Sequence, residues 1–541
     1  MKFEILVSVL GFILGNLAVI SGQDTNYDDE EFDIDWADSL STYVQTPSGP
    51  IIGTTTQILA VYVKTFLGIP YARPPVGNLR FTKPIPVDPW GEALNATTMP
   101  LACIQYTTYP YPWYDFEPEK SEDCLYLNIW TPFDATPGTN KSVMFYIHGG
   151  ESFGSNRKDI YDGRALSGLG DVIVNLQCGI WDILEALKWV RRNIEYFGGN
   201  PNQITLHGQS SGAIIISMLC VSPLTKGLFS KAILQSGSVI FIQANPTDHN
   251  LRVGQRIAKT VGCATNERNI QTDTESVVSC LRRKDGLYLA RVLNSFNPAS
   301  DISFFPQYGD ELFPNPPYEE IKKGRFHQIP LLIGHNSNEG VTEVTSIPEL
   351  FGFFGDNTPI INKTSAKFLL QNVFLGKSCS IDSVGNYYFN TIGDNDFFNV
   401  RQQLYAAYGD IVFVCPTTFF AERYAESNNT VFFYLFNHRP SISPWAPWTG
   451  TTHFDEVQFV FGQPIKDRAR YTLHEFDLSM KIVKFWTNFA KFGTPIYLFP
   501  WPKYSSSNRT LIILDAGFNG IRRGTNPSMD SCNFLRNCFT F

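Results

Sequence analysis

Short apolar runs recur along this chain, at Val143–Ile147, Val172–Val174, Ile204–Leu206, Lys231–Leu234, Pro330–Ile333 and Val431–Phe436. Each is bounded by polar, Gly or Pro residues, and none shows the strict alternation of a half-exposed strand, so they read as strands buried on both faces. Between several of them the period changes. From Ile180 to Tyr196, the residues Ile180, Leu184, Leu187 and Val190 fall on one stripe at helical spacing, which predicts an amphipathic helix. Strand and helix alternating in this way predict an α/β fold, a mostly parallel central sheet with helices on both faces. No internal repeat or low-complexity linker interrupts the texture, so a single large domain is expected over residues 45–541.

The first residues follow a different pattern. Lys2, an apolar run from Ile5 to Ile20, and the small pair Ser21 and Gly22 predict a secretory signal peptide over residues 1–22. A membrane anchor is the competing reading, against which stand Gly11, Gly15, Asn16 and the shortness of the run. Residues 23–44 are expected to be disordered: eight acidic residues and no basic one lie between Asp24 and Asp38, equal to the whole formal net charge of −8. The rest of the chain is therefore near neutral and carries no basic stripe, which argues against nucleic acid as a partner. With 541 residues and 43% hydrophobic content there is ample material for a core. No second long apolar segment follows, and the chain closes on "RNCFTF", so no membrane span is expected after signal removal. Five Asn-x-Ser/Thr sequons, at Asn95, Asn140, Asn362, Asn428 and Asn508, agree with export and glycosylation.

The candidate chemistry sits in "TLHGQSSGA", Thr205 to Ala213, where Gly208-Gln209-Ser210-Ser211-Gly212 fits the G-x-S-x-G pattern of a nucleophile elbow. A plain glycine-rich turn has the same composition, so partners for Ser210 decide between the two. A serine hydroxyl needs a base, and a base histidine needs a carboxylate to orient it. In the order nucleophile, acid, histidine, only His438, His453 and His474 of the eight histidines fall late enough. His453 lies in the polar loop "TGTTHFDEVQFVFG", from which a ring can project into a cleft. Glu339, in "LLIGHNSNEG" just past an apolar run, is the acid candidate, because functional groups in such sheets gather at the carboxyl ends of strands. At both positions an ordinary exposed loop residue is the alternative.

Four long, ordered stretches resolve that choice: "FLGIPYARPPVGNLRF" from Phe66, "SEDCLYLNIW" from Ser121, "FGGNPNQITLHGQSSGA" from Phe197 and "WTGTTHFDEVQFVFG" from Trp448. From about Thr46 onward the chain resembles the type-B carboxylesterases and cholinesterases of the α/β-hydrolase superfamily. The resemblance implies an α/β-hydrolase fold and a small-molecule carboxylic ester as substrate, with Ser210 as nucleophile, Glu339 as acid and His453 as base. It also implies oxyanion donors from Ser211 and the Gly149-Gly150 loop, and no metal or cofactor. It pairs Cys103 with Cys124, Cys263 with Cys280 and Cys415 with Cys532. Cys178, Cys220, Cys379 and Cys538 are left over. Cys220, in an apolar helix, reads as a buried free thiol, and Cys538 as a residue able to link two chains into a homodimer.

The chain also departs from its family. In "YIHGGESFGSN" the third glycine of the oxyanion loop is Glu151 and the loop is one residue short. After Val174 the sequence passes through "NLQC" almost directly to "GIWDILEALKWV", omitting a segment that in the family lines the active-site gorge. Trp113 lies near the position of a choline-binding tryptophan, with a surface aromatic as the alternative. Gln209 stands where cholinesterases carry a glutamate, and Thr342 and Glu343 replace an aromatic pair. These changes set a non-catalytic, ligand-binding relative beside the enzyme as the second functional class.

Overall fold

The computed structural model describes residues 41–106, 119–150, 159–177, 179–242, 246–296, 304–345, 348–352, 354–373, 378–497, 499–516, 520–539 and 541. The signal segment, the acidic stretch to residue 40, Trp113, Glu151 and Cys178 lie outside the described residues.

Twelve strands follow one another across a single sheet, which the two-residue strand Leu94–Asn95 joins beside the second of them. In chain order they are β1 Ser41–Thr46, β2 Gly49–Ile58, β3 Val61–Pro70, β4 Tyr126–Pro132, β5 Lys141–Ile147 and β6 Ile173–Gln177. The second half comprises β7 Gly199–Gln209, β8 Lys231–Gln235, β9 Leu331–Asn336, β10 Val431–Phe436, β11 Leu511–Leu514 and β12 Arg522–Gly524. Their spatial order is β1-β2-β3-β4-β6-β5-β7-β8-β9-β10-β11-β12. Every pairing from β6 to β11 is parallel, and the pairings outside that block, β1 to β6 on one side and β11 with β12 on the other, are antiparallel. The expected boundary at residue 45 falls inside β1: residues 41–44, expected to be disordered, are in the sheet, because Ser41 to Thr46 pair in register with Thr54 to Gly49 of β2.

The continuous apolar runs have a simple cause. β8, β9 and β10 are buried at every position, so both faces are mainly apolar, and the polar residues they do carry stand at their ends, Lys231 at the start and Gln235, His335 and Asn336 at the carboxyl ends. Successive side chains feed two separate cores: Phe145 and Ile147 of β5 enter one, Met144 and Tyr146 the other. Helix α1, Ile180–Asn193, closes the first core with Leu184, Leu187 and Val190, three residues of the stripe. Each such burial contributes roughly 1.5–3 kcal/mol. Later in the chain, α2 Ser211–Leu219 joins the first core through Ile216 and Leu219, and α3 is the short helix Gly340–Thr345. Helix α4, Leu473–Phe492, covers the opposite face with Ile482, Phe485, Trp486 and Phe489, and starts in a capping box between Thr472 and Glu475. One helical run among the described residues, Phe397–Glu426, is long and apolar enough to cross a membrane, but 94% of its apolar window is buried inside the fold.

Four disulfides brace the described chain. Cys103–Cys124, Cys263–Cys280 and Cys415–Cys532 are the pairs the resemblance implies. The fourth is a correction: Cys379 and Cys538 bond to each other within the chain, across a separation of 159 residues, so Cys538 is not available to link two chains. Helix Met529–Leu535 and the turn after it bring Cys538 back onto the body, where it is fully buried. Cys220 is a buried free thiol.

Candidate active site

The parallel block puts its carboxyl ends along one edge, and the candidate residues follow those ends in turn. His148, Gly149 and Gly150 follow β5, Ser210 follows β7, Glu339 follows β9 by three residues, and His453 lies in the connection after β10.

Ser210 occupies a turn between β7 and α2 at φ 56° and ψ −125°, a left-handed conformation that a non-glycine residue adopts only under constraint. The flanking glycines supply the constraint. A Cβ on Gly212 would stand 2.1 Å from the Ile147 carbonyl oxygen, and one on Gly208 would stand 2.8 Å from the Gly212 carbonyl carbon. Only glycine lets the first turn of α2 press this closely against the end of β5. The backbone then locks the serine in place, its N–H donating to the Gln235 carbonyl at 2.8 Å and its carbonyl accepting from Ile214 N–H at 2.9 Å. Ser210 is half-buried.

The acid and base candidates come from segments 114 residues apart and meet at 2.6 Å, His453 Nδ1–H donating to Glu339 Oε2. The other carboxylate oxygen accepts from Ser236 Oγ and from the Asn336 backbone N–H, each at 2.6 Å. Both residues are buried, Glu339 at 1% exposure and His453 at 4%. Burial raises the Glu339 pKa, but the charge and hydrogen bond of His453, with those from Ser236 and Asn336, carry it below the usual glutamate value. Burial lowers the His453 pKa, and Glu339, with further charge from Glu343 and Glu456, outweighs it and holds the imidazole above 6.5.

Side chains without a motif hold this arm in place. Asn336 Nδ2 donates to the Thr452 carbonyl at 2.8 Å and to Glu456 Oε2 at 2.6 Å. Asn338 bonds Thr451 in both directions, its N–H to the Thr451 carbonyl at 2.9 Å and its Oδ1 from Thr451 N–H at 3.0 Å. Gln235 donates to Glu456 Oε1 at 2.9 Å and accepts from Trp486 Nε1 at 3.1 Å. The Phe413 ring stacks on His453 at 4.2 Å between centroids, from a π-helical turn over Asp410–Val414. Asp455 accepts from Thr452 N–H and Oγ1, and burial pushes its pKa up to about 8.

Among the remaining candidates, the structure brings Gly149 and Gln209 to the serine. A Cβ at Gly149 would stand 2.9 Å from Ser210 Cβ and 2.7 Å from Gln209 Oε1, so the glycine loop lies directly over the nucleophile. Gly150 follows at φ 93°, and Ser211 is the first residue of α2, where backbone N–H groups point out of the helix. Gln209 is buried, and its side-chain amide faces His453 Nε2 at 3.1 Å. Glu343 is half-buried on α3 and contributes charge at His453. Trp113 and Glu151 lie outside the described residues, and all five sequon asparagines are exposed. Sequence reasoning missed Ser236 and Asn336. Ser236, at φ 56° in the turn "LQSGS", carried a faint signal in its Ser-Gly pair, whereas Asn336 carried none.

Comparison with known proteins adds a consistent picture. The model of the carboxylesterase family matches residues 40–177 and 175–535. The two stretches meet where β6 passes to α1, the place of the omitted segment. Acetylcholinesterase-1 from Trittame loki is 36% identical over 539 residues, 92% of this chain and 95% of that protein. Acetylcholinesterase from Leptinotarsa decemlineata is 31% identical, covering 91% of this chain and 85% of its own. Cholinesterase from Mus musculus is 33% identical, covering 87% and 83%.

Proposed function

The chain belongs to the carboxylesterase family, and from that membership we propose that it is a secreted serine hydrolase that cleaves carboxylic esters through an acyl-enzyme. The observation that carries the proposal is the buried His453–Glu339 dyad, joined at 2.6 Å, with His453 Nε2 lying 3.1 Å from Gln209, the neighbour of a conformationally constrained Ser210. In this reading His453 Nε2 takes the Ser210 proton as the hydroxyl attacks the ester carbonyl, and returns a proton to the departing alcohol. Glu339 keeps the imidazole proton on Nδ1 and stabilises the imidazolium. Ser211 N–H and the Gly149-Gly150 loop face the developing oxyanion, and water then repeats the sequence on the acyl-enzyme.

Export and glycosylation belong to the same proposal. Four disulfides favour an oxidising compartment, and the exposure of Asn95, Asn140, Asn362, Asn428 and Asn508 leaves each sequon accessible. A second reading, a relative that binds ligands without turnover, draws its support from the two-part family match at 175–177 and from Glu151 in the oxyanion loop.

A fluorophosphonate probe separates the two readings, because phosphorylation of a serine relies on the same activated hydroxyl as acylation. The enzyme reading expects covalent label on Ser210 that is absent in Ser210→Ala. Folded, glycosylated protein that neither takes up label nor hydrolyses a short-chain ester establishes the binding reading in its place.

A further inference from the structure

The side-chain nitrogen of Gln209 lies 3.1 Å from Nε2 of His453. An amide nitrogen donates and does not accept, so the bond has one possible sense: Gln209 Nε2–H to a bare imidazole Nε2. The ring proton must then sit on Nδ1, which is where Glu339 Oε2 accepts at 2.6 Å. The two bonds are mutually consistent and select one tautomer, the one a general base requires. Gln209 Oε1 has no hydrogen-bond partner among the described residues although Gln209 is 1% exposed.

We propose that Gln209 is a positioning residue that holds resting His453 neutral, in the Nδ1–H tautomer, and gives up Nε2 to Ser210 when substrate arrives. The need for such a residue follows from the charge around the ring. Glu339, Glu343 and Glu456 all favour the imidazolium, in which Nε2 can accept no proton. Gln209 is the neighbour that favours the neutral ring. Its amide also serves both states: turned over, the unpartnered Oε1 can accept from Nε2–H once the base has taken the serine proton. A glutamate at this position could only accept, and would reinforce the other carboxylates.

The inference rests on His453 being the base, and its test is arranged around that. In the wild type, the acid limb of kcat/KM for an uncharged short-chain ester is expected above pH 6.5. In Gln209→Glu that limb should move about 1 pH unit or more further up, with activity recovering at high pH, since a second close carboxylate stabilises the imidazolium. Gln209→Met, which removes the donor without adding charge, should lower kcat/KM and move the limb up by less than Gln209→Glu does. The imidazole nitrogen spectrum of ¹⁵N-histidine protein, with His453 assigned by its loss in His453→Gln, should show Nδ1 protonated and Nε2 bare in the neutral wild type, and a mixture of tautomers in Gln209→Met. An unmoved limb in folded Gln209→Glu, or Nε2 protonated in the neutral wild type, overturns the role given to Gln209. Fluorophosphonate labelling of wild-type Ser210 distinguishes the failures. Labelled protein with an unmoved limb removes this inference alone, and unlabelled protein removes the esterase reading on which it stands.

Discussion

The proposed nucleophile and the proposed acid–base arm of this site are built on opposite plans. Around Ser210 the restraint is steric and local: two glycines within two residues of the serine, a backbone carbonyl 2.1 Å from a missing Cβ, and a left-handed φ. Around His453 it is electrostatic and mostly remote, with Ser236, the Asn336–Glu339 turn and Glu456 of its own loop brought from three segments into a space from which water is largely withdrawn. The first plan costs conformational strain and is indifferent to pH. The second costs desolvation of charge, and its output depends on proton concentration. The two halves should therefore fail under different insults.

The largest effect is expected from removing the base. His453→Ala should lower kcat by on the order of 10⁴ to 10⁶, as loss of a triad histidine does elsewhere. It should also destabilise the fold by roughly 1–3 kcal/mol, because buried Glu339 Oε2 loses the hydrogen bond from Nδ1–H. Burst-free steady-state kinetics and a denaturant melt report the two quantities; a melt that does not shift would show that Ser236 and Asn336 suffice to hold the carboxylate. Gly212→Ala attacks the other plan. The new methyl group meets the Ile147 carbonyl, which belongs to a central strand and cannot retreat. A stability loss of about 1–3 kcal/mol is expected, with turnover reduced by roughly 10² through displacement of Ser210. The pH dependence of what activity remains should match the wild type, and a moved acid limb would show that the two halves are not independent.

The smallest effect sharpens the electrostatic side. Asp455 has its folded pKa raised to about 8 from an ordinary 3.8. The folded state therefore binds more protons than the unfolded state between these values, and the contribution of this residue to stability falls as pH rises from 3.8 to 8, then levels off. Asp455→Asn keeps the shape of the neutral acid and removes the titration. Thermal melts between pH 5 and pH 9 should show a shallower decline for the variant, with the two curves closest at the acid end. Parallel curves would place the carboxylate in a better-solvated setting than its burial indicates.

The division between the two plans also explains what could be seen in the sequence. Steric restraint is written in adjacent residues, so Gly208 and Gly212 marked the elbow before any partner was known. The strands of the parallel block were equally plain, since β8, β9 and β10 are buried throughout and are apolar along their middles. Glu339 and His453 needed family resemblance, because nothing near either residue states that they meet. Asn336, Asn338 and Gln235 were not legible at all, and Ser236 only faintly, through its Ser-Gly pair. Each is a common polar residue whose partner is fixed by the register of the sheet and by where a distant loop returns. The bond between Cys379 and Cys538 was hidden for the same reason: a separation of 159 residues says nothing about distance in space.

Cys220 caps the carboxyl end of α2, nine residues after Ser211 begins it, and is completely buried with its thiol pKa pushed far up by desolvation. A thiol exchanges with disulfides only as the thiolate. While the chain is being made and oxidised, this sulfur is a competitor able to reshuffle every bridge it reaches. Docking of α2 against the sheet ends that competition, because the thiolate is then no longer formed at physiological pH. The helix that starts at the nucleophile thus also sets the moment in maturation after which Cys220 can no longer exchange with the bridges, and protein caught before that moment should be the form that scrambles.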